Sequence, residues 1–387
     1  MNKMSPNQPL IQISVPNLGE EEVNAVREVF SSGWLTQGPR VKLFEEQFAQ
    51  RHQSKYAIAT TSCTSALHTM LNAAGIGPGD EVIVPSFTWI ATANAVIYTG
   101  ATPVLVDIDL DSFNINLNCI LERITPKTKA IIVVHLFGYC VDINFLKLSI
   151  GNPDILIFED AACAAGASIN GQSAGSMGEA ASFSFHPRKS ITTGEGGMVT
   201  TNSFELYESS KQFRNHGANT SAEDRHLSSK PYFLPDFDVL GYNYRMTDIQ
   251  AAIGIVQLAK LDSILLARQK IAANYSEALR DFAWVHIPRV PEGMIHSWQS
   301  FVIRIDKNNS KQSRNELMEQ LLSSGITTRP GTHAIHELSY YKDNFKIDPT
   351  KLKNSKESAD STISLPMHDG LSERDIDFVV DSLTKLN

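Results

Sequence analysis

Five short segments, Tyr56–Thr60, Glu81–Pro85, Pro103–Asp107, Ala130–His135 and Ile155–Glu159, are almost continuously apolar, and helix-sized stretches such as Thr64–Ala73 and Thr88–Tyr98 lie between them. A strand with one wet face alternates apolar and polar residues, whereas a strand apolar at nearly every position must be covered on both faces. Strands of the second kind, alternating with helices, predict an α/β fold built on a mostly parallel sheet. Ala181–Phe185 and Gly197–Thr201 follow one another with no helix between them, so the sheet is expected to be mixed at that end.

The polar stretch Asn219–Lys230 reads as a surface loop, and from Thr247 a helical pattern with little Gly or Pro runs to about Arg280. Beyond it, Phe301–Ile305, the helix Asn315–Leu322, a strand Ile326–Arg329 and a final helix Glu373–Leu386 form a smaller α+β unit. The expected division is therefore a large domain over residues 1–260, including an N-terminal arm, and a small C-terminal domain over 261–387.

With 34 Lys and Arg against 42 Asp and Glu, the net charge of −8 gives no general positive field for a nucleic-acid backbone. Cys63, Cys119, Cys140 and Cys163 form no CxxC pair and read as reduced thiols. Met1–Pro9 lacks the apolar core of a signal peptide, and the apolar run Lys129–Leu136 ends after one strand length. No nucleic acid, no membrane and a cytoplasmic location are the expectations.

Four features carry possible chemistry. Asp160 follows a buried strand, at the carboxyl end where open α/β sheets place ligands, or it caps a helix over the following alanines. Lys189 sits in a loop of Gly, Ser and Thr, where it is either solvated or a nucleophilic amine; Arg188 beside it is expected to favour the neutral form by repulsion. At Thr60–His68 a strand gives way to a helix start rich in hydroxyls, either ordinary capping or a phosphate site. Trp89, just past another strand, is a core aromatic or a stacking platform. Together, a lysine, a strand-end carboxylate, an anion cradle and a flat ring meet the needs of pyridoxal phosphate.

The chain resembles the DegT/DnrJ/StrS family of pyridoxal-phosphate sugar aminotransferases, of the aspartate aminotransferase fold type I. The matching segments are SGWLTQGPRV (Ser32–Val41), SCTSAL (Ser62–Leu67), PSFTW (Pro85–Trp89), HLFG (His135–Gly138), EDAAC (Glu159–Cys163), HPRKSITTGEGG (His186–Gly197), RNHG (Arg214–Gly217), GYNYRMTDIQ (Gly241–Gln250) and LPMH (Leu365–His368), in the family's order. The resemblance implies a large α/β/α domain with a smaller C-terminal α+β domain, and a cofactor-binding set residue by residue. Lys189 would bond the cofactor covalently, Asp160 would face the pyridine nitrogen, and Trp89 would stack on the ring. Ser184, Thr64 and the Cys63–Thr64 backbone would hold the phosphate. Asn243 would reach the phosphate of a neighbouring subunit, which implies a homodimer with shared active sites. Two positions depart from the family: Cys63 stands where Gly is usual, and Cys163 replaces the Gln or His that contacts the cofactor's phenolic oxygen. A thiol is a weak donor there.

The implied reaction moves an amino group from L-glutamate to a keto sugar nucleotide, a 4-keto-6-deoxy hexose or, alternatively, a 3-keto sugar or a keto-cyclitol, to make an amino sugar for a surface polysaccharide or a glycosylated metabolite. A branch of the family that replaces the lysine with histidine dehydrates sugars, and retention of Lys189 favours transamination. A catalytically silent regulatory module is the non-enzymatic alternative. His186 either lines the sugar pocket or packs against the loop. Arg329 and His333 are substrate-facing, with Arg329 able to pair with a diphosphate or carboxylate, or belong to the surface. A dinucleotide fingerprint is excluded because Gly75–Gly79 precedes a strand instead of following one. His333 and His336 lack a third ligand for a metal site.

Overall fold

The computed structural model of the protein describes residues 10–220, 232 and 234–386. The segment Met1–Pro9, and the expected surface loop Asn219–Lys230 from residue 221 onward, lie outside the described residues. The chain is a mixed α/β structure around a seven-stranded sheet whose strands are β1 (Tyr56–Thr60), β2 (Glu81–Pro85), β3 (Thr102–Val106), β4 (Thr128–Val134), β5 (Leu156–Asp160), β6 (Ala180–Ser184) and β7 (Gly197–Thr201). Their order is β1-β7-β6-β5-β4-β2-β3. β7 pairs antiparallel with both neighbours, and the other pairings are parallel. This mixed end is where two strands follow each other without an intervening helix.

Alternate residues of these strands enter cores on opposite faces. Val82, Val84, Ala130, Ile132 and Phe158 pack under helices Cys63–Ala73 and Ala91–Tyr98 on one side. Ile83, Ile131, Val133 and Ile157 meet Ile143 and Leu146 of helix Ile143–Ile150 on the other. Burial on both faces is why the runs are apolar throughout.

The expected helix Thr88–Tyr98 begins only at Ala91, because Phe87 and Thr88 pair instead with Ala334 and His333 of the small domain. The expected strand Ile326–Arg329 is held by two isolated bridges, Ile11–Ile326 and Arg329–Ser364, so the N-terminal arm lies against the C-terminal part of the chain. The long helix Asp248–Leu279 starts at a capping box of Thr247 and Gln250. Residue 260 falls within it: Leu258, Leu261 and Ile264 enter the core beside β1, β6 and β7, while Ile271, Tyr275 and Leu279 enter the small-domain core with Phe301, Ile303 and Ile363. Among the described residues it is the one helix long and apolar enough to cross a membrane, but its apolar positions are divided between these two cores.

At the end of β5, Glu159 is fully buried. One oxygen accepts from the N–H of Met177 at 2.9 Å and Gly178 at 2.6 Å; the other accepts from Gly175 N–H at 2.7 Å and His135 Nε2 at 2.8 Å. His135 Nδ1 accepts from Val141 N–H at 3.0 Å, which places the ring proton on Nε2, facing Glu159. Every donor needs an oxygen, so Glu159→Gln turns an NH2 group toward two of them. We predict a loss of about 3–5 kcal/mol, the usual range for breaking a buried charged network, measured as a lower urea midpoint with an unchanged slope.

Candidate active site

A cavity of about 510 Å³ opens at the carboxyl ends of β1, β5 and β6, inside the range of roughly 300–1,000 Å³ common for small-molecule sites. Its wall includes Cys63, Thr64, Trp89, Asp160, Cys163, Ser184, His186 and Lys189, and, from beyond the long helix, Arg329 and His333. Asn243 is not part of it; this residue is exposed and bridges to Asn215. Residues that sequence reasoning passed over also face the cavity: Ile13 and Ser14 of the arm, Glu195, Gln299 and Ser300. The first two and the last two come from segments with no motif of their own, and only the fold brings them here.

Asp160 does not cap a helix. The chain after it forms turns, and its carboxylate accepts from Thr92 Oγ1 at 2.7 Å and Ala162 N–H at 3.2 Å. Burial raises its pKa, opposed by those two hydrogen bonds and by the charge of Lys189. Lys189 Nζ lies 3.2 Å from Cys163 Sγ. The expectation that Arg188 would favour a neutral amine is corrected: burial does push that way, but Cys163, Cys63 and Asp160 together outweigh it and raise the lysine pKa. Cys163 is the first of the groups that raise it, and Arg188, which lines the same cavity, is not among the main causes of the shift. Burial and Asp160 push the Cys63 thiol well up.

Helix Cys63–Ala73 points its N-terminus into the same space. Ser62 is the cap, accepting from Ser65 N–H at 3.1 Å, and its carbonyl takes Ala66 N–H. The amides of Cys63 and Thr64 have no acceptor among the described residues and are left as donors of the first turn. β7 passes directly beside this turn: a Cβ on Gly197 would lie 2.4 Å from the Ser62 carbonyl carbon and 2.6 Å from Cys63 N. Only glycine lets strand and helix start approach so closely. Ser184 ends β6 at the same edge. Trp89 is 55% exposed, which rules out a core role, and its ring stands 5.7 Å from that of His333. His186 Nδ1 accepts from Arg188 N–H at 3.2 Å, so the imidazole both shapes the lysine loop and lines the cavity.

A sequence profile of the DegT/DnrJ/EryC1/StrS aminotransferase family matches residues 16–384, nearly the whole chain. The chain belongs to this family: it is a sugar aminotransferase with the type I fold of pyridoxal-phosphate enzymes. Among solved structures, it superposes on a candidate sugar aminotransferase of Streptococcus pneumoniae in its PMP form with a TM-score of 0.90, at 29% identity over 98% of this chain and 99% of that one. The PLP form of the same protein matches with a TM-score of 0.90 at 29% identity, covering 97% and 98%. PseC of Helicobacter pylori, an aminotransferase involved in the biosynthesis of pseudoaminic acid, gives a TM-score of 0.90 at 29% identity over 97% and 99%.

The Thr92 hydroxyl is the strongest hydrogen-bonding influence on Asp160. In the cofactor-free protein the folded state holds the Asp160 proton more tightly than the unfolded chain. Its stability contribution is therefore complete below the ordinary carboxylate pKa of about 4 and falls as pH rises through the raised value. Thr92→Val should deepen that fall, lowering unfolding free energy by about 1.5–3 kcal/mol at neutral pH and by less near pH 4. Urea unfolding at both pH values tests this; an equal loss at both would refute it.

Proposed function

We propose that this enzyme transfers the amino group of L-glutamate to the keto group of a sugar nucleotide, in the first instance a 4-keto-6-deoxy hexose, giving 2-oxoglutarate and an amino sugar. The observation that carries the reading is that Lys189, Asp160 and the open helix start at Cys63–Thr64 line one cavity. The residues present fit pyridoxal phosphate. The uncapped amides and the hydroxyls of Thr64 and Ser184 suit its phosphate without any net positive charge. Asp160 suits its ring nitrogen, Trp89 its ring face, Cys163 the surroundings of its phenolic oxygen, and Lys189 a covalent bond to it. The PLP and PMP forms of the pneumococcal relative support the same cofactor.

When bound, pyridoxal phosphate acts as an electron sink that acidifies the hydrogen on an amino-bearing carbon. The rest falls to the protein. Asp160 keeps a proton on the ring nitrogen. The free amine of Lys189 takes the proton from Cα of glutamate and, in the second half-reaction, returns one to the sugar carbon. Arg329 is exposed at the cavity wall and has no ion-pair partner among the described residues. Its planar fork suits the side-chain carboxylate of glutamate and the diphosphate of the acceptor in turn, with His186 and His333 lining the sugar's path. Asn243, exposed outside its own cavity, suits a role in the site of a second subunit, so we propose a homodimer. The described cysteines are free, in keeping with a cytoplasmic enzyme.

Lys189→Ala should abolish the visible absorbance of the cofactor-loaded protein and lower turnover by roughly 10²–10⁴-fold; full activity in this variant would end the reading. Incubating the pyridoxamine-loaded enzyme with keto sugar nucleotides bearing UDP, GDP or dTDP should restore the original absorbance with one of them. Response only to a 3-keto sugar or a keto-cyclitol would move the acceptor to that class.

A further inference from the structure

The loop from His296 to Ser300 crosses from the small domain to the back of the cavity and fastens both chain segments that bear the Lys189–Cys163 pair. Ser297 Oγ donates to the carbonyl of Cys163 at 2.8 Å, and Gln299 Nε2 donates to the carbonyl of Arg188, the residue before Lys189, at 2.9 Å. The loop is pressed against Gly138, whose φ is +105° and where a Cβ would lie 2.2 Å from Ser297 Oγ. Trp298 at its centre has a φ of 49°, a left-handed conformation that a bulky side chain does not adopt unaided.

The turn is held at its ends by Ser297 N–H to the Gly138 carbonyl, Trp298 N–H to His296 Nδ1 and Ser300 N–H to the Phe137 carbonyl, and its own carbonyls are taken by Arg268, from the middle of the long helix. Its Nη1 donates to the carbonyls of Trp298 at 3.0 Å and Gln299 at 3.2 Å. Arg268 is 2% exposed, makes no ion pair among the described residues, and its Nε has no partner. Burial pushes its pKa down to about 10, so it remains charged at neutral pH. Asp369 offsets part of this burial by its charge but makes no ion pair with it, and a buried guanidinium without an ion pair bears a desolvation cost that an apolar side chain of similar length would spare. Its two bonds are spent on the strained turn.

We propose that Arg268 is a positioning residue: through the loop 296–300 it fixes the backbone of Cys163 and of Arg188, and thereby the placement of the Lys189 amine against Cys163. This rests on the cofactor-bearing role of Lys189 proposed above. Three variants separate positioning from simple stability: Arg268→Met, Arg268→Lys and Ser297→Ala, each assayed for melting of the cofactor-free protein, for the pH midpoint of the loaded protein's visible absorbance, and for kcat and KM.

Arg268→Met spares the guanidinium's desolvation but leaves the Trp298 and Gln299 carbonyls without this donor, so it should stay folded with only a modest change in melting temperature, yet move the absorbance midpoint by about half a pH unit or more and lower kcat about 10–100-fold with little change in KM. Arg268→Lys, which keeps the charge and can serve one carbonyl, should recover part of both. Ser297→Ala should shift the midpoint in the same direction by less. An unchanged midpoint and kcat in Arg268→Met, or a loss of kcat that only follows a lower melting temperature, would overturn the proposal. If Arg268→Met fails to fold, an unmoved midpoint in Ser297→Ala overturns it equally. A wild-type protein that takes up no cofactor, or a Lys189→Ala variant that retains the absorbance, strikes instead at the functional reading itself.

Discussion

Two adjacent carboxylates at the end of β5 organise this molecule, and the difference between them is one of hydrogen-bond capacity. Strand geometry sends Glu159 and Asp160 to opposite faces. Glu159 is saturated by three backbone amides and His135, which together fix the loop at 175–178 to the strand. Asp160 accepts from Thr92 and Ala162 and retains lone pairs directed into the cavity. The saturated carboxylate holds the strand end still, and the unsaturated one can then act on a ligand from a fixed place.

The cavity exists because the chain before and after the long helix Asp248–Leu279 is tied at several points around it. His333 and Ala334 extend Thr88 and Phe87 by a short antiparallel pair. Ser86 Oγ meets His336 Nδ1 at 2.7 Å, and Asp107, at the end of β3, accepts from the amides of Asn354 and Ser355 at the start of the helix Lys353–Ser361. Carboxylates favour helix N-termini, so the last of these is a charge-assisted cap across the domain junction. The arm residue Ile13 accepts from Met367 N–H, and Ile11 pairs with Ile326, so the arm seals one side of the cavity from the small domain. The phosphate-binding role proposed for the site is local, resting on amides and hydroxyls at a helix start, and so needs no net positive charge in a chain of net charge −8.

Much of this was legible in residue order. The apolar runs marked β1 to β5, and the absent helix between Ala181–Phe185 and Gly197–Thr201 marked the mixed end of the sheet. Lys189, Asp160 and Trp89 stood out as candidates because they sit at strand ends or in the loop next to one, where α/β folds place ligands, while Thr64 and Ser184 were singled out by the family resemblance. Ile13, Gln299 and Arg268 carried no such mark. Their neighbours in space are more than a hundred residues away in the chain or are backbone carbonyls, which any sequence possesses. Thr92 was equally silent, as one threonine in an apolar helix differs from another only by what its hydroxyl meets.

The charge state at the lysine shows most plainly where the boundary between sequence and structure falls. Arg188 is the nearest charged residue in the chain, and by sequence it should have discharged the amine. Coulombic and hydrogen-bond effects depend on distance in space, and Cys163, 26 residues earlier, is the group placed 3.2 Å from Nζ. The sequence by itself determined the elements, the class of sheet and the kinds of side chain available for chemistry, since those follow from local periodicity and composition. Only the tertiary structure decided which of those side chains meet, which carboxylate is left open and what holds the lysine, because each is set by contacts between segments that the chain order keeps apart.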